Sequence, residues 1–388
     1  MSNSLPKIAY LLPSLHTSGW QRYIRSLLPE LALQIEPILV VAREDKELAD
    51  KLFPNWPIFE LPVIQNTSLT GLRSRWQLLY SMWRARQLKL PEVSMIHSLE
   101  AYPTGLLGQI LAKRLGLPHI LTVHGTYGVH WRIFPLDRWA YQKILPQVDV
   151  VCPISEGTLG LMSKFFPTQM NQVTVQVILN GNNYFKKIPQ QRALDRTWPD
   201  TPTLLTVGDI KPRKGIHISL QAFAQVHEQL PSARYWIVGG YDSENEYYRE
   251  LTKFVRENGL EEAVIFTGRL DDDELDHCYN EASAFVLTSQ EENLRFEGFG
   301  LVFLEAGAYG LPVIGTKTGG IPDAVLHGKT GLLTAPDNIT AIADAMLRLL
   351  SDQDYARQLG RANRAWSEQL TWERSASQYL ELYRSLLN

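Results

Sequence analysis

Two glutamates frame the stretch of this sequence that is best suited to chemistry. Residues 291–319 are "ENLRFEGFGLVFLEAGAYGLPVIGTKTGG", with Glu297 and Glu305 eight positions apart. A carboxylate can accept two hydrogen bonds, so Glu297 can bind hydroxyls of a group lying against the glycines that follow it. Glu305 can bind neighbouring hydroxyls, such as those of a ribose. The spacing alone fits equally well two surface glutamates on either side of an amphipathic helix.

The residues between the two glutamates are suited to an anion. Gly298 and Gly300 flank Phe299 and permit close approach of the backbone to a ligand. A helix that begins near Leu301 would present unpaired N–H groups and its positive dipole end. A diphosphate meets both conditions.

A second glycine-bounded stretch, "TVGDIKPRKGIHISLQAF", carries positive charge. Its strand ends in Gly208, and Arg213 and Lys214 precede a helix predicted from Gly215. The arginine fork and the lysine point charge can neutralise a diphosphate, although a solvated basic turn has the same composition. The glycines at 319–320 likewise fit either the approach of an anion or a tight turn.

These residues follow short apolar runs that alternate with stretches of helical period, which predicts parallel sheets covered by helices. Open parallel sheets bind ligands beyond the carboxyl ends of their strands, so the loops should converge on one crevice. Two series of strands are predicted, and with them two doubly wound α/β domains. The first series is "KIAYLL", "EPILVVA", "PIFELPV", "SMIHSL", "HILTVHG", "VDVVCPIS" and "VTVQVIL"; the second is "TLLTVG", "RYWIVGG", "AVIFTG", "SAFVLTS" and "PVIGTK".

The polar, proline-bearing stretch between the two series predicts a linker. The expected divisions are a first domain over 1–185, the linker over 186–202, a second domain over 203–366, and a helix within 367–388 that packs back toward the first domain. Helix is predicted from Asn338 onward by the spacing of its apolar residues.

Composition excludes several classes of protein. With 388 residues and 45% hydrophobic content, the chain can bury two cores. No long uncharged apolar run and no leader-like start is present, which predicts a cytoplasmic protein. The two cysteines, Cys152 and Cys278, are expected to be buried thiols. Residues 1–200 carry 21 Lys and Arg against 14 Asp and Glu, and the remainder 17 against 27, a polarity that does not suit a nucleic-acid groove shared by both halves.

The stretches "VGDIKPRKG" and "EGFGLVFLEAGAYGLPVIGTKTGGIPD", in this order, resemble the family 4 retaining glycosyltransferases. Weaker matches extend over nearly the whole chain: "TSGWQRYIRSLLPELA", "TVHGT", "VCPISEGTL" and "VILNGNN". The resemblance implies the GT-B architecture, in which two Rossmann-like domains face a central cleft. It also implies a nucleotide-sugar donor and no cofactor.

The resemblance assigns roles to individual residues. It implies that Glu297 contacts the hydroxyls of the donor sugar, Glu305 the ribose and Lys214 the diphosphate. It places His124 of the first domain beside the reacting carbon and Gly19 in a loop that closes over the donor. Taken alone, a histidine at the end of a strand is more often a satisfied structural group.

The sequence departs from the family at two places. Asp209 stands where the family usually has an arginine, so its carboxylate must turn away from a diphosphate or bind another group. Arg213 or Arg295 can supply the missing charge. The segment Ser18-Gly19-Trp20-Gln21 replaces a pattern of two glycines and a glutamate, which affects loop closure and the acceptor side.

Residues 72–90 predict a helix with an apolar stripe of Leu72, Trp76, Leu79 and Trp83 between arginines. Such a stripe favours packing onto the sheet. The flanking arginines also suit peripheral contact with an anionic membrane, which is the alternative.

A pair of carboxylates in "GRLDDDELDHCY" is similar to the manganese motif of another glycosyltransferase class. The spacing of Asp271 and Glu274 instead predicts a helix cap, so no metal site is expected.

The function that follows is metal-independent transfer of a sugar, glucose from UDP-glucose, onto a saccharide or lipid-linked acceptor in envelope or extracellular polysaccharide assembly. No carboxylate is placed as a nucleophile for double displacement, and the resemblance implies front-face substitution instead. Two alternatives remain. A nucleotide-sugar epimerase of the same architecture would turn over its substrate without an acceptor, and a non-catalytic subunit would bind the nucleotide sugar without transfer.

Overall fold

The computed structural model describes residues 5–16, 18–64, 69, 71–129, 134–190, 193 and 199–388. The chain divides into two compact units. Unit 1 comprises Met1–Gly181 and Trp372–Asn388, and unit 2 comprises Asn182–Thr371. Each unit is built on its own parallel sheet, so the predicted pair of Rossmann-like domains is confirmed.

In unit 1 the described residues form a seven-stranded parallel sheet in the order β3-β2-β1-β4-β5-β6-β7. Its strands are buried apolar runs, as expected where helices cover both faces of a sheet. The strands are β1 (Lys7–Leu11), β2 (Glu36–Ala42), β3 (Ile58–Leu61), β4 (Met95–Ser98), β5 (His119–Val123), β6 (Val150–Pro153) and β7 (Thr174–Val175). The helices before residue 182 are α1 (Ser18–Leu31), α2 (Lys46–Leu52), α3 (Leu72–Gln87), α4 (Thr104–Leu115), α5 (Pro135–Ile144), α6 (Glu156–Phe165) and α7 (Pro167–Met170).

Unit 2 contains a six-stranded parallel sheet in the order β10-β9-β8-β11-β12-β13 among its described residues. The strands are β8 (Thr203–Val207), β9 (Arg234–Val238), β10 (Val264–Gly268), β11 (Ala284–Leu287), β12 (Val313–Thr316) and β13 (Gly331–Thr334). The helices are α8 (Tyr184–Lys187), α9 (Ile216–Gln229), α10 (Glu246–Glu257), α11 (Asp272–Glu281), α12 (Leu301–Ala308), α13 (Ile321–Ala324), α14 (Ile339–Ser351) and α15 (Gln353–Gln369). The last helix of the chain, α16 (Trp372–Leu387), returns to unit 1.

The sequence did not predict strand β13. It is only four residues long, "GLLT", and stands between the glycines of a turn and the helix start at Asn338. Pairing with β12 makes these four residues a strand, and that contact is not visible in local sequence. The helix predicted from Asn338 does form, with the Asn338 side chain accepting a hydrogen bond from the Ala341 N–H at 3.0 Å.

The predicted linker at 186–202 is described only in part, because residues 191, 192 and 194–198 lie outside the described residues. The division between the units falls at Gly181 and Asn182, before the short helix α8. On the other side, α15 stays with unit 2, and unit 1 resumes at Trp372.

Helix α3 corrects one prediction. Its apolar stripe was expected to pack onto the sheet, but Leu72 and Trp76 are 75% and 71% exposed. The helix instead buries Leu78, Ser81 and Ala85. Small side chains at the last two positions allow close approach, and the Ser81 hydroxyl accepts a hydrogen bond from the Val63 N–H at 3.1 Å.

The cap predicted from Asp271 is confirmed. Asp271 accepts a hydrogen bond from the Glu274 N–H at 2.9 Å, and the Glu274 carboxylate accepts one from the Asp271 N–H at 3.0 Å. This capping box begins α11 and uses Asp271, the first carboxylate of the manganese-like motif.

Candidate functional site

The centre of the unit 2 sheet is where its strand order reverses. Strands β8 and β11 are neighbours there, and their crossover connections lead in opposite directions. Such a reversal opens a crevice at the carboxyl ends of the strands, which is the usual ligand site of a doubly wound sheet. Both candidate loops of the sequence begin at these two strand ends.

The loop after β8 carries the basic pair. Residues Pro212–Lys214 form one 3₁₀ turn, and Gly215 then takes a left-handed conformation with φ +68° before α9. The Lys214 side chain lies across Gly208, since a Cβ added at that glycine would stand 3.6 Å from Lys214 Cε. A Cβ at this position would make only ordinary contact with the lysine, so it is the φ of +152° at Gly208 that favours glycine there.

The loop after β11 is fixed against the loop after β8. Gly215 lies so close to it that an added Cβ would stand 1.8 Å from the carbonyl oxygen of Thr288. The Thr288 hydroxyl donates to the Gly215 carbonyl at 2.7 Å, and the Gln290 N–H donates to the Arg213 carbonyl at 2.8 Å. These contacts fix where the basic pair stands.

Glu297 joins the two loops through its side chain. Lys214 Nζ lies 2.6 Å from Glu297 Oε2, and an Arg213 guanidinium nitrogen lies 3.3 Å from the same oxygen. The lysine and the glutamate are largely buried. Burial alone would raise the pKa of Glu297, but the two cations outweigh it and hold that pKa below its usual value. The carboxylate is thus ionised near neutral pH.

A helix start follows Glu297, as predicted. Gly300 takes φ +88° and caps α12, which begins at Leu301. Phe299, between the two glycines, is buried. Gly298 lies between Glu297 and this helix start, so the first N–H groups of α12 follow the ion cluster closely in sequence.

The paired glycines at 319–320 support the same loop. The Gly320 N–H donates to the Glu297 carbonyl at 2.9 Å. Gly319 has φ +49°, and an added Cβ would stand 2.3 Å from that carbonyl oxygen. Of the two roles predicted for these glycines, the structure shows a close backbone turn that positions Glu297.

Glu305 lies at the beginning of the second turn of α12 and is only 2% exposed. The Tyr279 hydroxyl donates to Glu305 Oε2 at 3.2 Å. Glu305 is therefore a buried, hydrogen-bonded carboxylate, and not one of two surface glutamates.

Asp209 turns toward cations. Lys211 Nζ lies 3.0 Å from one carboxylate oxygen, and an Arg269 guanidinium nitrogen lies 3.4 Å from the other. Partial burial raises the pKa of Asp209, but these cations, with Lys214, lower it more. The side chain of Arg295, the other residue considered as a source of charge, is exposed.

His124 belongs to unit 1, where it follows strand β5. Its ring packs edge-on against Trp20 and Tyr23, with ring centroids 4.3 and 4.4 Å away. Its Nε2 atom is buried without a hydrogen-bond partner among the described residues. Burial lowers the pKa of His124 to about 3, so the imidazole is neutral.

Gly19 is not in a loop, in contrast to the expectation. It is the second residue of α1, it is exposed, and nothing lies within 4 Å of an added Cβ. Trp20 and Tyr23, both buried, pack the first turns of α1 against His124.

Two further polar groups were not found from the sequence. Glu100 lies beyond the end of β4, where it is buried close to the main-chain N–H of His124, and its Oε2 atom has no partner among the described residues. Ser289, just after β11, has a buried hydroxyl that likewise has no hydrogen-bond partner among the described residues. Only the position at a strand end marks either residue in the sequence.

Within the described ranges, no group of three or more His, Cys, Asp or Glu side chains is arranged to hold a metal ion. The same part of the chain has no helix that is long and apolar enough to cross a bilayer.

Two family models match the chain. The model described as "Glycosyltransferase Family 4" covers residues 17–183, and "Glycosyl transferases group 1" covers 189–366. The GDP-mannose-dependent alpha-(1-6)-phosphatidylinositol monomannoside mannosyltransferase of Mycobacterium tuberculosis is 30% identical, over 73% of this chain and 74% of the relative. The N-acetyl-alpha-D-glucosaminyl L-malate synthase of Bacillus anthracis is 25% identical, over 87% and 86%.

Solved structures share the fold over nearly the full length. The sucrose-phosphate synthase of Thermosynechococcus elongatus superimposes with a TM-score of 0.74 and 24% identity, over 98% of this chain and 99% of the other. HepE of Anabaena, solved with UDP-glucose, superimposes with a TM-score of 0.72 and 20% identity, over 98% and 100%.

Proposed function

The chain belongs to glycosyltransferase family 4, and from this premise we propose that it is a retaining, metal-independent enzyme that transfers glucose from UDP-glucose. The proposed acceptor is a saccharide or a lipid-linked saccharide in envelope or extracellular polysaccharide assembly. The proposed setting is the cytoplasm, with peripheral contact between residues 72–90 and the inner face of the membrane. The cluster of Lys214, Arg213 and Glu297 at the strand reversal of unit 2 is the observation that supports the reaction best.

The charge of this cluster favours a diphosphate. Two cations share one carboxylate, so the cluster keeps one net positive charge in a partly buried place. Electrostatic attraction is stronger there than at an exposed surface. Transfer builds negative charge on the departing diphosphate, and Lys214, Arg213 and the first N–H groups of α12 are the groups that would stabilise it.

The carboxylates and the histidine take the remaining roles in this proposal. Glu297 would accept hydrogen bonds from the hydroxyls of the donor sugar, and Glu305 from the ribose. Because His124 is neutral, it cannot offset the charge of the diphosphate. In this proposal it instead hydrogen-bonds a sugar hydroxyl beside the reacting carbon. With no carboxylate assigned as nucleophile, the proposed path is front-face substitution, in which the departing phosphate accepts the proton of the acceptor hydroxyl.

Two donors have support from similar proteins. HepE of Anabaena was solved with UDP-glucose, whereas the Mycobacterium tuberculosis relative is named for GDP-mannose. We favour UDP-glucose, and GDP-mannose is the second candidate.

A thermal-shift panel tests the donor and the site together. The purified protein is heated with UDP-glucose, GDP-mannose, ADP-glucose and the free nucleotides. A ligand that binds only the folded state stabilises it by about 2.7 kcal/mol at 100 times its Kd. We expect UDP-glucose and UDP to raise the melting temperature, and Lys214→Ala to abolish that rise. Lys253→Ala, at an exposed lysine on α10, is the control that should keep it.

The outcomes separate the parts of the proposal. A rise in melting temperature with GDP-mannose alone would identify GDP-mannose as the donor. A rise that persists in Lys214→Ala would contradict the assignment of the binding site to Lys214. Release of UDP that requires an added saccharide distinguishes transfer from epimerisation. Loss of that release with a chelator would contradict metal independence.

A further inference from the structure

Unit 1 exposes an apolar face along helix α3. Along α3, the exposed side chains Leu72, Trp76, Tyr80 and Trp83 follow one another at helical spacing. The rings of Tyr80 and Trp83 stack with centroids 5.8 Å apart. Contiguous exposed apolar surface of this kind marks a site of interaction with a partner or a membrane.

A second helix of unit 1 also exposes apolar side chains. Helix α5 exposes Leu136 and Trp139, the latter by 60%, while its other side is buried. The two helix starts are tied together, because the Leu69 N–H donates to Asp137 Oδ1 at 2.8 Å and Arg75 Nε donates to the Leu69 carbonyl at 2.6 Å.

The topology puts both helices on one side of the sheet. Helices α3, α4 and α5 each connect parallel strands that run in the same direction across the sheet, from β3 to β4, β5 and β6. Right-handed crossovers place such helices on a common face. Helix α4 packs against both α3 and α5, in agreement with this arrangement.

The charge of the region around α3 and α5 favours an anionic partner. Residues 72–144 carry ten Lys and Arg and three Asp and Glu. Two of the three acids, Glu100 and Asp137, are buried, which leaves Glu92 as the exposed one. On α3 itself, Arg73 and Arg86 are exposed beside the apolar stripe.

A lipid surface fits this combination better than a protein does. The aliphatic stems of arginine can lie along apolar surface while their charged heads reach anionic headgroups. A helix with tryptophan and leucine on one side and flanking arginines is typical of helices that lie in the plane of the membrane interface. The core of a protein interface, by contrast, is depleted of charged residues.

We propose that the exposed faces of α3 and α5 together bind an anionic phospholipid bilayer. Trp76, Trp83 and Trp139 enter the interface, and the arginines of α3 contact the headgroups. This goes beyond contact through residues 72–90 alone, since α5 contributes a second point of insertion. It does not depend on the proposed transfer reaction, because lipid binding is measured without donor or acceptor.

Vesicle co-sedimentation of the full chain tests the surface. Vesicles of equal parts phosphatidylcholine and phosphatidylglycerol are compared with vesicles of phosphatidylcholine alone, at low and at high salt. We expect binding to the anionic vesicles that weakens with salt. Trp76→Ser and Trp139→Ser should each weaken it about tenfold, since each removes a large apolar side chain from the interface. Leu33→Ser, at a residue 74% exposed next to α1, is the matched control that should bind as the wild type does.

Other outcomes overturn the proposal. Equal binding to both vesicle types, or no binding at low salt, would remove the lipid assignment. An unchanged Trp139→Ser variant would remove α5 from the surface. A dimer in light scattering that Trp76→Ser converts to a monomer would show that a second copy of this chain occupies the face instead.

Discussion

Glu297 and Glu100 show two different fates of a buried carboxyl group. Glu297 is ionised because Lys214 and Arg213 contact it, so a bound donor must compete with or add to these ion pairs. The sequence predicted all three of these residues, because glycines and strand ends mark their loops. Glu100 was not predicted, because its burial beside the main chain of His124 arises from the pairing of β4 with β5.

Glu100→Gln should change the pH dependence of stability. Burial raises the pKa of Glu100 well above its usual value, and nearby main-chain N–H groups offset this only in part. At pH values below the unfolded-state pKa, near 4.3, the group is neutral in both states. As the pH rises above it, the unfolded state gains stability by ionising, so the wild-type protein becomes less stable. Glutamine does not ionise, so the stability of Glu100→Gln lacks this decrease with rising pH.

The measurement is the melting temperature at pH 5 and pH 8. Glu100→Gln should gain on the wild type between these two values, and Glu92→Gln, at an exposed carboxylate, is the control that should not. The same difference from wild type at both pH values would mean that Glu100 ionises normally.

At the scale of elements, sequence periodicity located most strands and several helices but did not orient every helix. The stripe of α3 has a spacing that fits a core helix, and only the small residues Ser81 and Ala85 on the other side show which face the sheet takes. Strand β13 was missed for the related reason that a four-residue strand is defined by its partner. Local sequence contains little information about either the packing of α3 or the pairing of β13 with β12.

The junction between the two site loops makes an element-scale prediction. Gly215→Ala puts a Cβ against the Thr288 backbone and also strains a residue with φ +68°. Gly259→Ala imposes nearly the same strain, with φ +65°, but nothing lies within 4 Å of its Cβ. Gly259→Ala should lower the free energy of unfolding by on the order of 1–3 kcal/mol, and Gly215→Ala should lower it by clearly more.

Urea denaturation of the two variants measures this difference. Equal costs would show that the loops after β8 and β11 can separate without loss of stability. A larger cost for Gly215→Ala, together with weaker nucleotide binding, would link the position of Lys214 to the contact with Thr288.

At the scale of the whole molecule, the sequence predicted two Rossmann-like domains because both strand series are long and regular. Helix α16 is also part of unit 1, where it packs against α1. The Tyr383 hydroxyl lies 2.7 Å from His97 Nδ1 and 3.0 Å from the Tyr10 hydroxyl, and all three residues are buried. No local pattern predicts these partners, since they are hundreds of residues apart.

Tyr383→Phe should destabilise unit 1 by about 1–3 kcal/mol, because it leaves two buried polar groups without a partner. Tyr80→Phe, at an exposed tyrosine of α3, should have no effect on the urea midpoint. An unchanged midpoint for Tyr383→Phe would mean that α16 contributes little to the stability of unit 1.

The position of α16 in the chain sets an order for synthesis. Unit 1 begins first, but about 190 residues of unit 2 are translated before α16, which takes roughly 10–40 s at ordinary ribosomal rates. Unit 2 is contiguous and has all its strands before that moment. Of the two units, the one whose strands are translated earlier is thus completed later, because its core lacks α16 until unit 2 has been made.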